Sequence, residues 1–310
     1  MKTALLFSGQ GSQYVGMAKD IAENYSDARN KTEFADSILG YSLSDICFNG
    51  PVDKLKETRY TQPAIFLHSA VIFDIIKDKV SFDSLAGHSV GEYAALYAAR
   101  VLAFEDALKL VSLRGELMFR AGEDEPGTMF AVINLDDEKV EEVCKRLTDS
   151  DKGIYVVAAN YNSPGQVVVS GSAEYLRNNI SAFKDAGARI VKELVVSGAF
   201  HSPLMLPAKQ ELEKAIKETN FYDAKTPIYS NVFAKPVVKS EDIKEALILQ
   251  LTSPVRWTQS LIAMKSDGMG KFIECGPGNV LQGLVKRTLS DVEITGFDSS
   301  DSIKENLSHC

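Results

Sequence analysis

The sequence predicts an α/β fold: a large domain with a mainly parallel sheet, and a small ferredoxin-like domain inserted into it. Two observations carry this. Short β-rich runs alternate with longer helical patterns through much of the chain, as parallel sheets with crossover helices require. From Met129 to Val196 the order of elements becomes βαββαβ, the order of a ferredoxin-like module. At 310 residues, 45% hydrophobic and 25% charged, the chain can bury a core without disulfide or metal staples.

The elements follow in order. Ala4 to Phe7 reads as a first strand, ending at the loop Gly9-Gln10-Gly11-Ser12-Gln13. The start resembles a signal peptide, but its apolar run breaks at Ser8, too early for one. Ala64 to Ile76 is an apolar helix, Leu85-Ala86 a short strand, and Glu92 to Ala99 a run of strong helix formers. Near Pro126-Gly127 the texture changes. Met129 to Ile133, Ile154 to Ala159, Gln166 to Ser170 and Arg189 to Val196 read as strands, with helices over Asp136 to Leu147 and Ala173 to Ala186 and a turn at Asn162-Ser163-Pro164-Gly165. The small domain is therefore placed at 127–197, and the large one at 1–126 and 198–310. In the resumed large domain, helices are expected over Pro207 to Lys217, Asp242 to Leu251 and Val280 to Arg287, and strands at Ile228 to Ser230 and Phe272 to Glu274. From Ser299 onward no pattern stands out.

Composition narrows the function. Nowhere do about 18 apolar residues run uninterrupted, so no transmembrane helix is expected. A net charge of -8 argues against broad nucleic-acid binding. Cys47, Cys144, Cys275 and Cys310 are widely spaced and form no C-x-x-C pair, which suggests neither zinc nor a disulfide framework and fits a reducing cytoplasm.

Gly87-His88-Ser89-Val90-Gly91 lies between a short strand and a helix, the context of a nucleophile elbow. Its glycines permit the tight turn that exposes the Ser89 hydroxyl and leaves the Val90 amide free to donate to an oxyanion. A serine nucleophile needs a base, and there are four histidines. His309 is beside the C-terminus, His68 lies in an apolar run as a core histidine would, and the side chain of His88 should point away from that of Ser89. His201 remains, on a loop where the insert returns to the large domain. The Gly9–Gln13 loop can present amides to an anion, but Tyr14 stands where a dinucleotide fingerprint needs glycine. Arg114 sits in an otherwise apolar helical stretch, where it is either a structurally paired arginine or a carboxylate-binding one.

Taken in order, Gly9 to Gln13, Gly87 to Tyr93, Arg114-Gly115, Asn160 to Gln166, Gly198 to Ser202 and Gln250 to Val255 resemble the successive signatures of the malonyl-coenzyme A:acyl carrier protein transacylases. The resemblance implies a hydrolase-like large domain with the site in the cleft beside the insert. It implies Ser89 as nucleophile, His201 as base oriented by a backbone carbonyl at Gln250, and the amides of Gln10 and Val90 as oxyanion hole. Arg114 would bind the malonyl carboxylate, with Asn162 and Phe200 also on the substrate, Phe200 going with malonyl rather than methylmalonyl selectivity. The partners implied are malonyl-coenzyme A and a phosphopantetheinylated acyl carrier protein; no metal or cofactor is required. Lys192, Lys286 and Arg287 are candidates for docking an acidic carrier. Ser8 departs from the family, which usually has proline there. Two other readings share these residues: a serine esterase or thioester hydrolase, and a non-catalytic carrier-binding subunit. The extent of the chain suggests a free-standing enzyme.

Overall fold

The computed structural model describes residues 1–308, so His309 and Cys310 lie outside it. Among the described residues ten strands form two sheets. The first strand, β1 (Lys2–Phe7), is apolar and buried along nearly its whole length, as a central parallel strand must be. Beside it lie β2 (Ser84–Gly87) and β9 (Met269–Cys275), both parallel to it. With β7 (Ile228–Tyr229), β8 (Pro236–Val237) and β10 (Glu293–Phe297) they make a six-stranded sheet in the order β10-β9-β1-β2-β7-β8. Only the edge strand β8 runs antiparallel. One apolar cluster packs on each face of this sheet, the larger around the helix Thr58–Ile76, the smaller around Trp257 and the helix Val280–Thr288.

The second sheet is antiparallel, made of β3 (Gly127–Ile133), β4 (Val156–Ser163), β5 (Gln166–Ser172) and β6 (Ile190–Glu193) in the order β4-β5-β3-β6. Counted within the module that is 2-3-1-4, the ferredoxin-like arrangement, with its own apolar cluster between the sheet and one layer of helices. The ends of this segment lie together: a Cβ on Gly122 would come within 1.7 Å of the Ser197 carbonyl, and one on Gly127 within 2.4 Å of the Ala199 amide. The small sheet is also stitched by backbone to the segment before the helix Trp257–Ser266, Tyr161 N–H donating to Val255 O at 2.9 Å and Val255 N–H to Ala159 O at 2.8 Å.

Several expected elements need correction. The helix expected over 173–186 is two, Ala173–Asn179 and Ser181–Asp185, broken at Ile180. The strand at 189–196 pairs only over Ile190–Glu193, because β6 is an edge strand and the chain beyond it turns back to the large sheet. The strand expected over 154–159 runs on to Ser163, so the turn is shorter, centred on Gly165 at a φ of 69°. After Phe297, where no pattern was legible, a helix spans Ser300–Leu307, capped by Ser299, whose side chain accepts from the Ser302 amide.

Parallel register sets the position of the site. Phe7 is level with Gly87 and with Cys275, so the loops after β1, β2 and β9 leave the sheet side by side at its carboxyl edge. That edge is where open α/β sheets bind ligands.

Candidate active site

Ser89 sits between β2 and the helix Gly91–Ala98 with a φ of 52°, the left-handed conformation of a nucleophile elbow. Both flanking glycines are sterically required. A Cβ on Gly87 would lie 1.9 Å from the Gly91 carbonyl carbon, and one on Gly91 would lie 2.2 Å from Phe7 O. The turn is also clamped: Ser89 N–H donates to Asn231 Oδ1 at 2.7 Å, and Asn231 Nδ2 donates to Gly87 O at 2.7 Å. Asn231 follows β7 and was not singled out from sequence; the signal available was a polar Ser230-Asn231 pair at the carboxyl end of a parallel strand.

Ser89 Oγ lies 2.9 Å from His201 Nε2, and His201 Nδ1 lies 2.9 Å from the backbone oxygen of Gln250. Since a carbonyl only accepts, Nδ1 carries the hydrogen and Nε2 is left to accept from the serine. Burial, and next the positive charge of Arg114, lowers the His201 pKa to about 3, so the imidazole is neutral throughout the working range. No acidic third member is needed to fix the tautomer.

Arg114 is fully buried, on the helix Phe104–Asp124. Its Nη1 donates to Gln62 Oε1 at 2.6 Å, and its Nη2 to Gln250 Oε1 at 2.9 Å and to Ser89 Oγ at 3.0 Å. All three partners are neutral, and Nε has none. Gln62, the residue before Pro63 in an apolar helix, was also missed from sequence. Gln250 does three jobs: its carbonyl orients His201, its Oε1 holds Arg114, and its Nε2 donates to Glu92 Oε2 at 2.5 Å and to Ser89 O at 3.2 Å. Glu92 itself is buried; desolvation raises its pKa to about 7 against the lowering effect of the Gln250 and Asn231 N–H groups and of Arg114. From sequence it is a helix former within the Gly87 to Tyr93 signature and has no assigned role, although a carboxylate in the apolar run after the serine is the kind of residue that needs a partner.

The remaining candidates fall as follows. The loop of Gln10 lies against the elbow, a Cβ on Gly9 being 2.7 Å from His88 O, and the amides of Gln10 and Val90 donate to no acceptor among the described residues. Gln10 Nε2 donates to Thr58 Oγ1 at 3.1 Å. Phe200 is buried beside His201 and against Gly198. Asn162 Oδ1 is 2.8 Å from His88 Nε2, whose ring packs near Trp257, so part of Asn162 serves the structure. His68 is a core residue whose Nε2 lies 2.9 Å from Asp298 O. Ser8, at the proline position, donates to Glu274 Oε1 at 2.9 Å. Lys286 and Arg287 are exposed on the helix Val280–Thr288, where Arg287 donates to Gln166 at 2.8 Å near the β4–β5 turn. Lys192 is on β6, the opposite edge of the small sheet, so the three do not form one patch.

A serine on a strained elbow at the edge of a parallel sheet, with a neutral histidine against its hydroxyl and two free amides nearby, defines an enzyme of acyl transfer through a serine ester. Over residues 4–307 the chain matches the acyl transferase domain, and it belongs to that family. It is 40% identical over 303 residues to the malonyl CoA-acyl carrier protein transacylase of Staphylococcus aureus, covering 98% of this chain and 97% of the relative. The solved acyl carrier protein S-malonyltransferase of Vibrio cholerae superposes with a TM-score of 0.93 at 39% identity, over 99% of this chain and 100% of that one. A malonyl-transacylase solved in complex with a type II PKS acyl-carrier protein superposes at 0.95 with 36% identity, over the full length of both.

Proposed function

We propose that this chain transfers the malonyl group of malonyl-coenzyme A to the phosphopantetheine thiol of an acyl carrier protein through an ester on Ser89, supplying extender units for fatty acid or polyketide synthesis. The observation that carries the reading is Arg114, a buried guanidinium 3.0 Å from the nucleophile whose hydrogen-bond partners are all neutral. A malonyl carboxylate is the anion it lacks. On binding, Nη2 exchanges Ser89 Oγ for a carboxylate oxygen, and an Nη1 hydrogen completes a two-pronged contact.

His201 Nε2 then takes the Ser89 proton as Oγ attacks the thioester carbonyl, and the amides of Gln10 and Val90 hold the oxyanion. Collapse breaks the carbon–sulfur bond, and the departing coenzyme A thiolate takes the proton from His201. In the second half the carrier thiol gives its proton to His201 and its sulfur attacks the ester; the bond from the acyl carbon to Ser89 Oγ breaks, and Oγ takes the proton back from His201. The Arg114 charge that lowers His201 is offset when the carboxylate binds, so malonyl makes the base stronger in its own complex. Acetyl cannot. Phe200 and Asn162 complete the pocket walls around the acyl chain.

Residues 127–197 and the flanking segments 1–126 and 198–310 are the two domains of this reading, with the cleft between them; the adjacency of the crossing segments at Gly127 and Ala199 supports the division. The carrier docks on Lys286 and Arg287, with Lys192 reached only by a carrier that spans the small sheet. Reversing both charges, Lys286→Glu with Arg287→Glu, should raise KM for the carrier severalfold while leaving acylation by malonyl-coenzyme A unchanged. Three buried free thiols, Cys47, Cys144 and Cys275, support a cytoplasmic location, and no described helix is long and apolar enough to cross a membrane.

Initial-rate kinetics test the reading. Varying malonyl-coenzyme A against holo-carrier should give the parallel double-reciprocal lines of a ping-pong reaction. Intersecting lines would contradict a free malonyl-serine intermediate, and release of malonate at the same rate with and without carrier would mean a hydrolase.

A further inference from the structure

Buried, Arg114 needs a counter-charge, yet a carboxylate paired directly with it would occupy the donors a substrate carboxylate requires. The carboxylate whose charge acts on it is that of Glu92, which reaches it through the Gln250 side chain and not by direct contact. Geometry shows what that arrangement does. A guanidinium only donates and an ionised carboxylate only accepts, so with Glu92 ionised Gln250 turns its Oε1 to Arg114 and its Nε2 to Glu92. The amide cannot rotate to its other state without placing oxygen against oxygen and N–H against guanidinium. The second oxygen of Glu92 accepts from Asn231 N–H at 3.4 Å, and Asn231 is the residue that clamps Ser89 N and Gly87 O. Glu92 lies in the first turn of the helix Gly91–Ala98, where the helix dipole favours an anion. One carboxylate thus ties the elbow to the guanidinium.

We propose that Glu92 is a positioning residue for donor selectivity: it fixes the Gln250 amide, and that amide holds Arg114 beside Ser89 in the orientation that receives a donor carboxylate. This rests on the reading of Arg114 as the malonyl site. Glu92 does not touch the substrate. Its effect appears as a preference for malonyl over acetyl donors, which a residue needed only for folding would not change.

The test compares acylation of Ser89 by malonyl-coenzyme A and acetyl-coenzyme A in the full chain. Glu92→Gln keeps the size of the side chain but removes the charged acceptor that holds Gln250 Nε2; the malonyl-to-acetyl ratio of kcat/KM should fall by about tenfold or more, the effect of misplacing one charge-assisted hydrogen bond. Gln250→Met removes the relay amide while keeping the backbone carbonyl under His201, and should lower the ratio by a similar factor. The double variant should be no worse than either single one, because the two residues act in series. An unchanged ratio in Glu92→Gln, or effects that multiply in the double variant, would overturn the proposal. If Glu92→Gln does not fold, the ratio in Gln250→Met decides. A wild-type protein that takes no malonyl onto Ser89 would instead overturn the function proposed above.

Discussion

Two buried carboxylates stand at the carboxyl edge of the large sheet, and their surroundings differ. Glu274, at the end of β9, accepts from Ser8 Oγ at 2.9 Å and from the amides of Leu281 and Gln282, each at 3.1 Å. It caps a helix and anchors the loop after β1, and burial raises its pKa to about 6. Glu92 is raised further, to about 7, and its partners are Gln250 and Asn231, residues that contact His201, Arg114 and Ser89. Desolvation is the leading cause in both. Burial of a carboxylate therefore does not distinguish a structural group from one serving the site; the partners do.

The largest effect is expected at the nucleophile, Ser89. Ser89→Ala should lower transfer by about 10⁴-fold or more, measured as malonyl-carrier formation, whereas no substitution at Glu274 should approach that. Next, Arg114→Ala should cost roughly 10²–10³-fold in kcat/KM for malonyl-coenzyme A while relatively favouring acetyl-coenzyme A. An unaltered preference between the two donors would count against the carboxylate role. Glu274→Ala should destabilise the fold by about 3 kcal/mol, since it leaves two helix amides and a buried hydroxyl without an acceptor. Thermal unfolding checks this, and the donor preference should stay as in the wild type.

A pH series separates the two carboxylates more finely. With a folded pKa raised from 4.5 to about 7, Glu92 favours the fold fully only below its unfolded pKa, and that contribution is lost as pH rises through about 7. Glu92→Gln should therefore gain about 1–3 kcal/mol of stability relative to wild type between pH 5 and pH 8. Denaturant unfolding at the two pH values would show it; a difference independent of pH would mean that Glu92 does not titrate there. The smallest effect is expected at Ser8. Ser8→Ala removes one of three donors to Glu274 and should cost about 1 kcal/mol in the same unfolding measurement.

The comparison also shows what can be read from the chain without its fold. The elbow was legible because its demands are local: Gly87 and Gly91 are needed within five residues of each other, for contacts with each other and with Phe7. His201 emerged because only four histidines exist to choose from. Glu92, Asn231 and Gln62 were not found, because each has its role through a partner 52 or more residues away along the chain. The same limit applies to structure. Strongly apolar segments such as Ala64–Ile76, within the helix Thr58–Ile76, stand out, but β10 is a half-buried edge strand with a glycine, and the helix Ser300–Leu307 is announced only by a Ser299–Ser302 cap. The break at Ile180 has no proline or glycine to mark it. Lys192 and Arg287 could not be assigned to opposite edges of the small sheet until the strand order was known.

Intact mass after incubation with malonyl-coenzyme A decides whether Ser89 carries the acyl group. One added malonyl group is expected on the wild-type chain and none on Ser89→Ala, with discharge onto a phosphopantetheinylated carrier faster than to water. A malonyl adduct that persists in Ser89→Ala, or no adduct on the wild type, would contradict the role of Ser89.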